Sequence, residues 1–125
     1  MLLVIDDDKD IRYEIVTEWW FKRFGVPEQD VVWLTEYPAE GLSAYLLAHK
    51  DITQLSLDHD LVSTDVSSEL NKEMWQNFYQ FDTAFSNKTI KIHSMNARGA
   101  ENIRYKLKDI ASVEIVPLST MATQI

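Results

Sequence analysis

Five short runs of apolar residues recur along the chain, separated by longer amphipathic segments. They occupy residues 2–6, 31–35, 54–58, 89–94 and 112–117. Runs of this length, bounded by polar or turn residues, predict β-strands. The first of them, LLVID, is apolar on both faces, which is typical of a buried parallel strand.

The segments between these strands predict helices, because their apolar residues recur at helical spacing. They cover residues 9–24, 39–49, 68–81 and 100–109. Asp8 is placed to cap the first helix, and Gly25 and Pro27 end it. Pro38 stands where the second helix can begin.

Strands and helices alternate in this order, which predicts an α/β fold. The expected architecture is a five-stranded parallel sheet, doubly wound, with helices on both faces. A length of 125 residues suits a single domain, residues 1–125. Because only eight residues follow Pro117, we expect the last helix to be short or absent.

Aromatic residues are concentrated in two of the predicted helices. They are Trp19, Trp20 and Phe21 in the first helix, and Trp75, Phe78, Tyr79 and Phe81 in the third. We expect most of these rings to lie in the hydrophobic core, and a few to face a protein partner or to stack on a nucleotide base.

The composition excludes several classes of function. The net charge of −8 disfavours bulk nucleic-acid binding, since an acidic domain repels phosphate backbones. The absence of cysteine excludes disulfides, thiolate zinc sites and cysteine nucleophiles. Neither a signal peptide nor a membrane span is predicted, so we expect a cytoplasmic protein with no membrane partner.

Acidic residues end two of the predicted strands. Asp6, Asp7 and Asp8 end the first, and Asp58, His59 and Asp60 end the third. Ligands of open α/β sheets bind at the carboxyl ends of strands, where these like charges would repel one another. A hard divalent cation removes that penalty, and Mg²⁺ favours carboxylates, water and a phosphate oxygen.

The sequence therefore predicts a Mg²⁺ or Mn²⁺ site. Its candidate ligands are Asp6, Asp7, Asp58 and Asp60. The alternative for Asp7 and Asp8 is that they cap or begin the first helix, where the helix dipole favours negative charge. We prefer this alternative for Asp8.

Two histidines stand at strand ends on the same predicted edge. His59 follows the third strand, and His93 ends the fourth. Either can serve as a general acid or base near neutral pH, although a lone histidine is more often packed or at the surface. Zinc is a further possibility, but the spacing matches no standard zinc motif.

The segment SMNARGAE, residues 94–101, is a turn that enters a helix. Its candidate phosphate-binding residues are Ser94, Asn96, Arg98 and Gly99, together with the backbone N–H groups of the helix start. The alternative is a simple capped turn, with Asn96 or Ser94 as the cap.

An apolar strand ending in Asp6-Asp7, with a later strand ending in Asp58, resembles the acidic pocket of response-regulator receiver domains. The resemblance implies a receiver or flavodoxin-like fold, a first pair that binds Mg²⁺, and a later aspartate that accepts a phosphoryl group. Asp6 and Asp7 match the metal pair, and Asp58 matches the acceptor.

Two longer strings are similar to those of a divergent branch, the cyclic-phosphate processing receiver-like domains. They are LSLDHDL, residues 55–61, and IHSMNARGAENI, residues 92–103. The resemblance extends over nearly the whole chain. It implies a ligand class, a cyclic or terminal phosphate on RNA or a nucleotide, and an association with RNA repair.

The chain departs from signalling receivers in several respects. Val116 precedes Pro117, where a signalling receiver has a lysine that senses the acyl phosphate. His93-Ser94 replaces a single threonine or serine, the last helix is short or missing, and no output domain is attached. These departures favour a stand-alone module that processes or binds a ligand.

Four functions remain open from the sequence. The first is a metal-dependent phosphoesterase, with Asp58 as metal ligand or nucleophile and His93 or His59 as acid or base. The second is a non-catalytic sensor that sequesters a phosphate-bearing small ligand or RNA end. The third is a degenerate phosphorelay receiver. The fourth is a scaffold with an unused pocket and an unidentified protein partner.

Overall fold

Five parallel strands form one sheet in the computed structural model, which describes residues 1–125. They are β1 (Leu2–Ile5), β2 (Val31–Leu34), β3 (Gln54–Leu57), β4 (Thr89–Ile92) and β5 (Ser112–Ile115). The strand order is β2-β1-β3-β4-β5, and every neighbouring pair is parallel. This order is that of flavodoxin-like sheets, so the predicted fold is confirmed.

Six helices cover the two faces of the sheet. They are α1 (Lys9–Phe24), α2 (Leu42–Ala48), α3 (Val66–Gln76), α4 (Phe78–Phe85), α5 (Ala97–Leu107) and α6 (Leu118–Thr123). A short 3-10 turn, Glu28–Asp30, precedes β2. The last helix has six residues, as expected for a short element. None of the helices is long and apolar enough to cross a membrane.

The alternation of side chains along the strands creates two separate apolar layers. Leu3 and Ile5 of β1 face the larger layer, which α2, α3, α4 and α5 cover. Leu2 and Val4 face the smaller layer, which α1 and α6 cover with side chains such as Trp20. β1 is therefore buried on both faces, as its sequence predicts.

Helix α6 packs on α1 and closes the smaller layer. Met121 of α6 is fully buried beside Trp19 and Trp20. The indole N–H of Trp19 donates to the Gln124 side chain at 2.9 Å, just beyond the helix. The end of the described chain is thereby fixed to the first helix.

Two predicted helices differ from those observed. Pro38 does not begin α2, because its carbonyl accepts the Gly41 N–H at 2.9 Å and closes a turn before Leu42. The third predicted helix, residues 68–81, is two helices that meet at Asn77. Asn77 leaves helical geometry, with φ of −157°, and its side chain caps α4 through the Gln80 N–H.

The expectation that the aromatic residues form core is wrong for most of the second cluster. Trp75, Phe78 and Tyr79 are 81%, 61% and 84% exposed, while Phe81 is buried. The break at Asn77 redirects the residues around it, so they do not continue one apolar face.

In the first cluster Trp19 and Trp20 are buried but Phe21 is 57% exposed. Successive residues of a helix point about 100° apart, so three in a row cannot all face the sheet.

Candidate functional site

The chain reverses direction across the sheet between β1 and β3, and this switch point brings the acidic residues together. β2 lies beside β1 on one side, and β3 lies beside it on the other. Backbone hydrogen bonds extend past the strand ends, from Asp6 N–H to Leu34 and from Asp58 N–H to Ile5, both at 3.0 Å. Asp6 and Asp58 are therefore held side by side, as predicted from their positions after parallel strands.

Three carboxylates converge at this edge. Asp6, Asp7 and Asp58 each offer an oxygen atom within 4.8 Å of the others. Asp6 and Asp58 are buried, and Asp7 is partly buried. Hard carboxylate oxygens in such a group fit the preferences of Mg²⁺ or Mn²⁺. The fourth candidate ligand, Asp60, lies outside this group.

A cation of the protein itself lies between two of these carboxylates. Arg12 Nη1 is 3.2 Å from Asp6 Oδ2 and 3.1 Å from Asp58 Oδ2. Its Nε is 3.9 Å from Asp8 Oδ2. Arg12 was not among the site residues predicted from the sequence, although its spacing of four residues from Asp8 on one helix face was an available signal.

The two buried carboxyls differ in their protonation behaviour. Burial acts to raise the pKa of Asp6, but hydrogen bonds from His93 and the Asp8 N–H, with the charge of Arg12, lower it overall. Burial and the neighbouring charge of Asp6 raise the pKa of Asp58. Asp58 is therefore the carboxylate whose charge is least stabilised and which gains most from an added cation.

His93 lies behind Asp6 and is fully buried. Its Nε2 is 2.8 Å from Asp6 Oδ2, and its Nδ1 is 2.8 Å from Ser56 Oγ. A carboxylate only accepts, so Nε2 donates to Asp6. In this geometry His93 orients Asp6, and its predicted role as acid or base stays a prediction.

His59 is also held at both ring nitrogens. Nδ1 is 2.8 Å from Asp60 Oδ1, and Nε2 is 2.9 Å from Ser67 Oγ at the start of α3. The ring packs against α5, where a Cβ on Gly99 would stand 2.4 Å from His59 Cγ. His59 thus links the loop after β3 to two helices, and its catalytic role is likewise untested.

The candidate phosphate residues have separate places around the start of α5. Asn96 caps the helix by accepting the Gly99 N–H at 3.0 Å, and its amide also donates to Asp60 Oδ2 at 3.1 Å. Ser94 Oγ accepts the Asn96 N–H at 3.0 Å. Arg98 is exposed, and Gly99 is buried against His59. Asn96 is therefore the N-cap of α5, and the phosphate-binding role of these residues stays a prediction.

A cavity of about 290 Å³ joins these groups. It is lined by Asp7, Asp8, Arg12, Asp58, Asp60, Ser94, Met95 and Asn96. Arg12 is the one cationic side chain in this lining, which otherwise carries four carboxylates. The cavity thus places the acidic group beside the capped turn, whereas Arg98 and Gly99 do not line it.

The position after β5 holds no cation. Val116 is buried in the layer beneath α1 and α6, with 6% of its surface exposed. A signalling receiver has its phosphate-sensing lysine there, so this departure noted in the sequence places an apolar side chain in the core.

A family model described as the cyclic-phosphate processing Receiver domain matches residues 1–109. The matched segment runs from β1 through α5 and contains the acidic group, both buried histidines and the capped turn. β5 and α6 follow it. No curated protein matches the chain.

Proposed function

Because this chain belongs to the family of cyclic-phosphate processing receiver domains, we propose that it binds a divalent cation and processes a cyclic or terminal phosphate. The observation that carries the proposal is the convergence of Asp6, Asp7 and Asp58 within 4.8 Å at a cavity beside a helix start. The proposed cation is Mg²⁺ or Mn²⁺, since all three ligands are hard oxygen donors.

The size of the cavity favours one end of a larger ligand. Pockets that enclose drug-sized molecules measure roughly 300–1,000 Å³, and this cavity measures about 290 Å³. A phosphate with part of its ribose fits that volume, while the rest of an RNA strand or nucleotide stays outside. A net charge of −8 agrees with recognition of one end of an RNA strand, because an acidic protein repels a long phosphate backbone.

Each residue of the site has a role that follows from its position. Asp6, Asp7 and Asp58 hold the cation, which when bound polarises a phosphate oxygen and stabilises developing negative charge. Ser94 and Asn96 also line the cavity and orient the phosphate. His59 is the acid or base candidate nearer the ligand, because its partner Asp60 lines the cavity. His93 acts through Asp6.

The test uses a short RNA ending in a 2′,3′-cyclic phosphate, with Mg²⁺ or Mn²⁺. Products are followed by mass spectrometry and binding is measured on the same samples, for the wild type and for Asp58→Asn. Asp109→Asn is the matched control, because Asp109 is exposed and distant from the cavity lining. We expect turnover in the wild type and the control, and none in Asp58→Asn.

A non-catalytic sensor is the second candidate, and one observation favours it. Both ring nitrogens of His59 and of His93 are engaged by protein groups, which leaves no free imidazole at the cavity. Binding of the RNA end without turnover would establish this alternative. Absence of both binding and turnover would contradict the proposal and its alternative together.

A degenerate phosphorelay receiver is the least supported candidate, because Val116 is buried where the sensing lysine is needed. Incubation with acetyl phosphate and Mg²⁺ tests it. We expect no gain of mass at Asp58.

A further inference from the structure

We propose that Arg12 is a phosphate-binding residue which exchanges its carboxylate partners for the phosphate when a divalent cation enters the site. The inference rests on the proposed function and adds to it a residue and an order of binding. The cation binds first, and the guanidinium it displaces then receives the phosphate.

Both carboxylate oxygens of Asp6 already accept hydrogen bonds at all their lone pairs. Each carboxylate oxygen accepts about two hydrogen bonds. Oδ1 accepts from the Asp8 N–H at 2.8 Å and from Arg12 at 3.4 Å. Oδ2 accepts from His93 at 2.8 Å and from Arg12 at 3.2 Å. A cation can reach Asp6 only by displacing one of these donors.

Arg12 is the donor that the cation displaces from Asp6. Its contacts with Asp6 and Asp58 measure 3.1–3.4 Å, whereas strong charge-assisted bonds measure about 2.7–2.9 Å. The other donors to Asp6 are a backbone N–H and a fully buried imidazole, neither of which can move away. A bound divalent cation also repels the positively charged guanidinium, and so drives it away from the carboxylates that ligate the cation.

The displaced guanidinium remains at the cavity. Its side chain is 26% exposed and lines the cavity wall with Asp7, Asp8, Asp58 and Asp60. All its hydrogen bonds to Asp6 and Asp58 use Nη1, and Nη2 takes part in none of them. A planar guanidinium fork matches two phosphate oxygens, which a single ammonium group does not.

The charge balance of the cavity sets the order of binding. Four carboxylates and one arginine line it, and Asp6 stands behind them. These carboxylates repel a phosphate anion as long as Arg12 is paired with Asp6 and Asp58. The bound cation offsets two of the three negative charges of Asp6, Asp7 and Asp58 and releases Arg12, so cation and phosphate each strengthen the binding of the other.

The test compares Arg12→Gln with the wild type by calorimetry, using Mg²⁺ or Mn²⁺ alone and then inorganic phosphate at saturating cation. We expect Arg12→Gln to bind the cation about fivefold more tightly, since the competing charge is gone. We expect its affinity for phosphate to fall about tenfold or more. Arg104→Gln is the control, since Arg104 pairs with exposed Glu101 on α5, and neither affinity should change.

The opposite directions of the changes in cation affinity and phosphate affinity distinguish phosphate binding by Arg12 from a purely structural role. An arginine that only holds the fold together would, on removal, weaken both affinities, and that result would overturn the inference. If Arg12→Gln does not fold, Arg12→Lys keeps the charge without the fork, and its phosphate affinity alone should fall severalfold; unchanged phosphate affinity would contradict the inference. Failure of the wild type to bind any cation would instead refute the proposed function.

Discussion

Two serine–histidine–aspartate chains lie at the carboxyl edge of the sheet. Ser56, His93 and Asp6 form one, and its aspartate belongs to the acidic group. The other joins Ser67 through His59 to Asp60, which stands outside that group. Removing a group that orients a metal ligand typically lowers metal affinity about 10- to 100-fold.

Replacing Ser56 by alanine is therefore expected to weaken Mg²⁺ binding about tenfold, because the His93 ring that orients Asp6 loses its second hydrogen bond. Titration calorimetry measures the change. Ser67→Ala is the matched control and should leave Mg²⁺ affinity unaltered, since its histidine contacts Asp60. Equal losses in both variants would contradict the role assigned to His93.

At the scale of elements, the helices around the site depend on contacts from their neighbours. Gly41 precedes α2 with φ of 93° and offers no capping side chain. Glu73 of α3 supplies the cap instead, accepting the N–H groups of Leu42 at 2.9 Å and Ser43 at 2.7 Å. The Tyr37 hydroxyl also donates to Glu73, and burial beside that carboxylate raises the pKa of Tyr37.

Glu73→Gln is expected to lower the free energy of unfolding by about 1–3 kcal/mol, because one acceptor oxygen becomes an amide donor facing an N–H. Urea denaturation measures the loss. Glu69→Gln, one turn earlier on the same helix, serves as the control and should cost less than about 0.5 kcal/mol. A Glu73→Gln variant as stable as the wild type would show that α2 does not need this cap.

The contact of α5 with the loop after β3 depends on the absence of a side chain at Gly99. A Cβ there would lie 2.4–2.6 Å from three atoms of the His59 ring. Alanine at this position must push the ring away from Asp60 and Ser67.

We expect Gly99→Ala to destabilise the fold by about 1–3 kcal/mol. The same change made in a His59→Ala background should cost much less, because the clash has been removed. Chemical denaturation of the four proteins of this cycle measures the coupling. Additive losses would mean that the close approach has no energetic consequence.

At the scale of the whole molecule, the fold and the acidic cluster were predictable because both follow from patterns along the chain. Apolar runs and helical spacing define the alternation of elements, and parallel strands bring Asp6 and Asp58 to one edge. The break at Asn77 was not predictable from periodicity, since apolar residues continue through it. Arg12 was missed because its reach to Asp6 and Asp58 depends on how α1 packs on the sheet.

Binding of the proposed cation should stabilise the whole fold. A ligand that binds only the native state at 100 times its Kd adds about 2.7 kcal/mol to the free energy of unfolding. We expect Mg²⁺ to raise the thermal midpoint of the wild type, and chelation to reverse the rise. In Asp58→Asn the rise should be absent, while a rise of equal size would place the cation elsewhere.

The packing of α6 against α1 also bears on how the protein emerges from the ribosome. Trp19 and its partner Gln124 are 105 positions apart. At about 5–20 residues per second, roughly 5–20 s pass between their synthesis. Throughout that interval the nascent chain presents tryptophans of α1 without the helix that covers them. We therefore expect the tryptophans of α1 to reach their buried positions only after α6 has been synthesised.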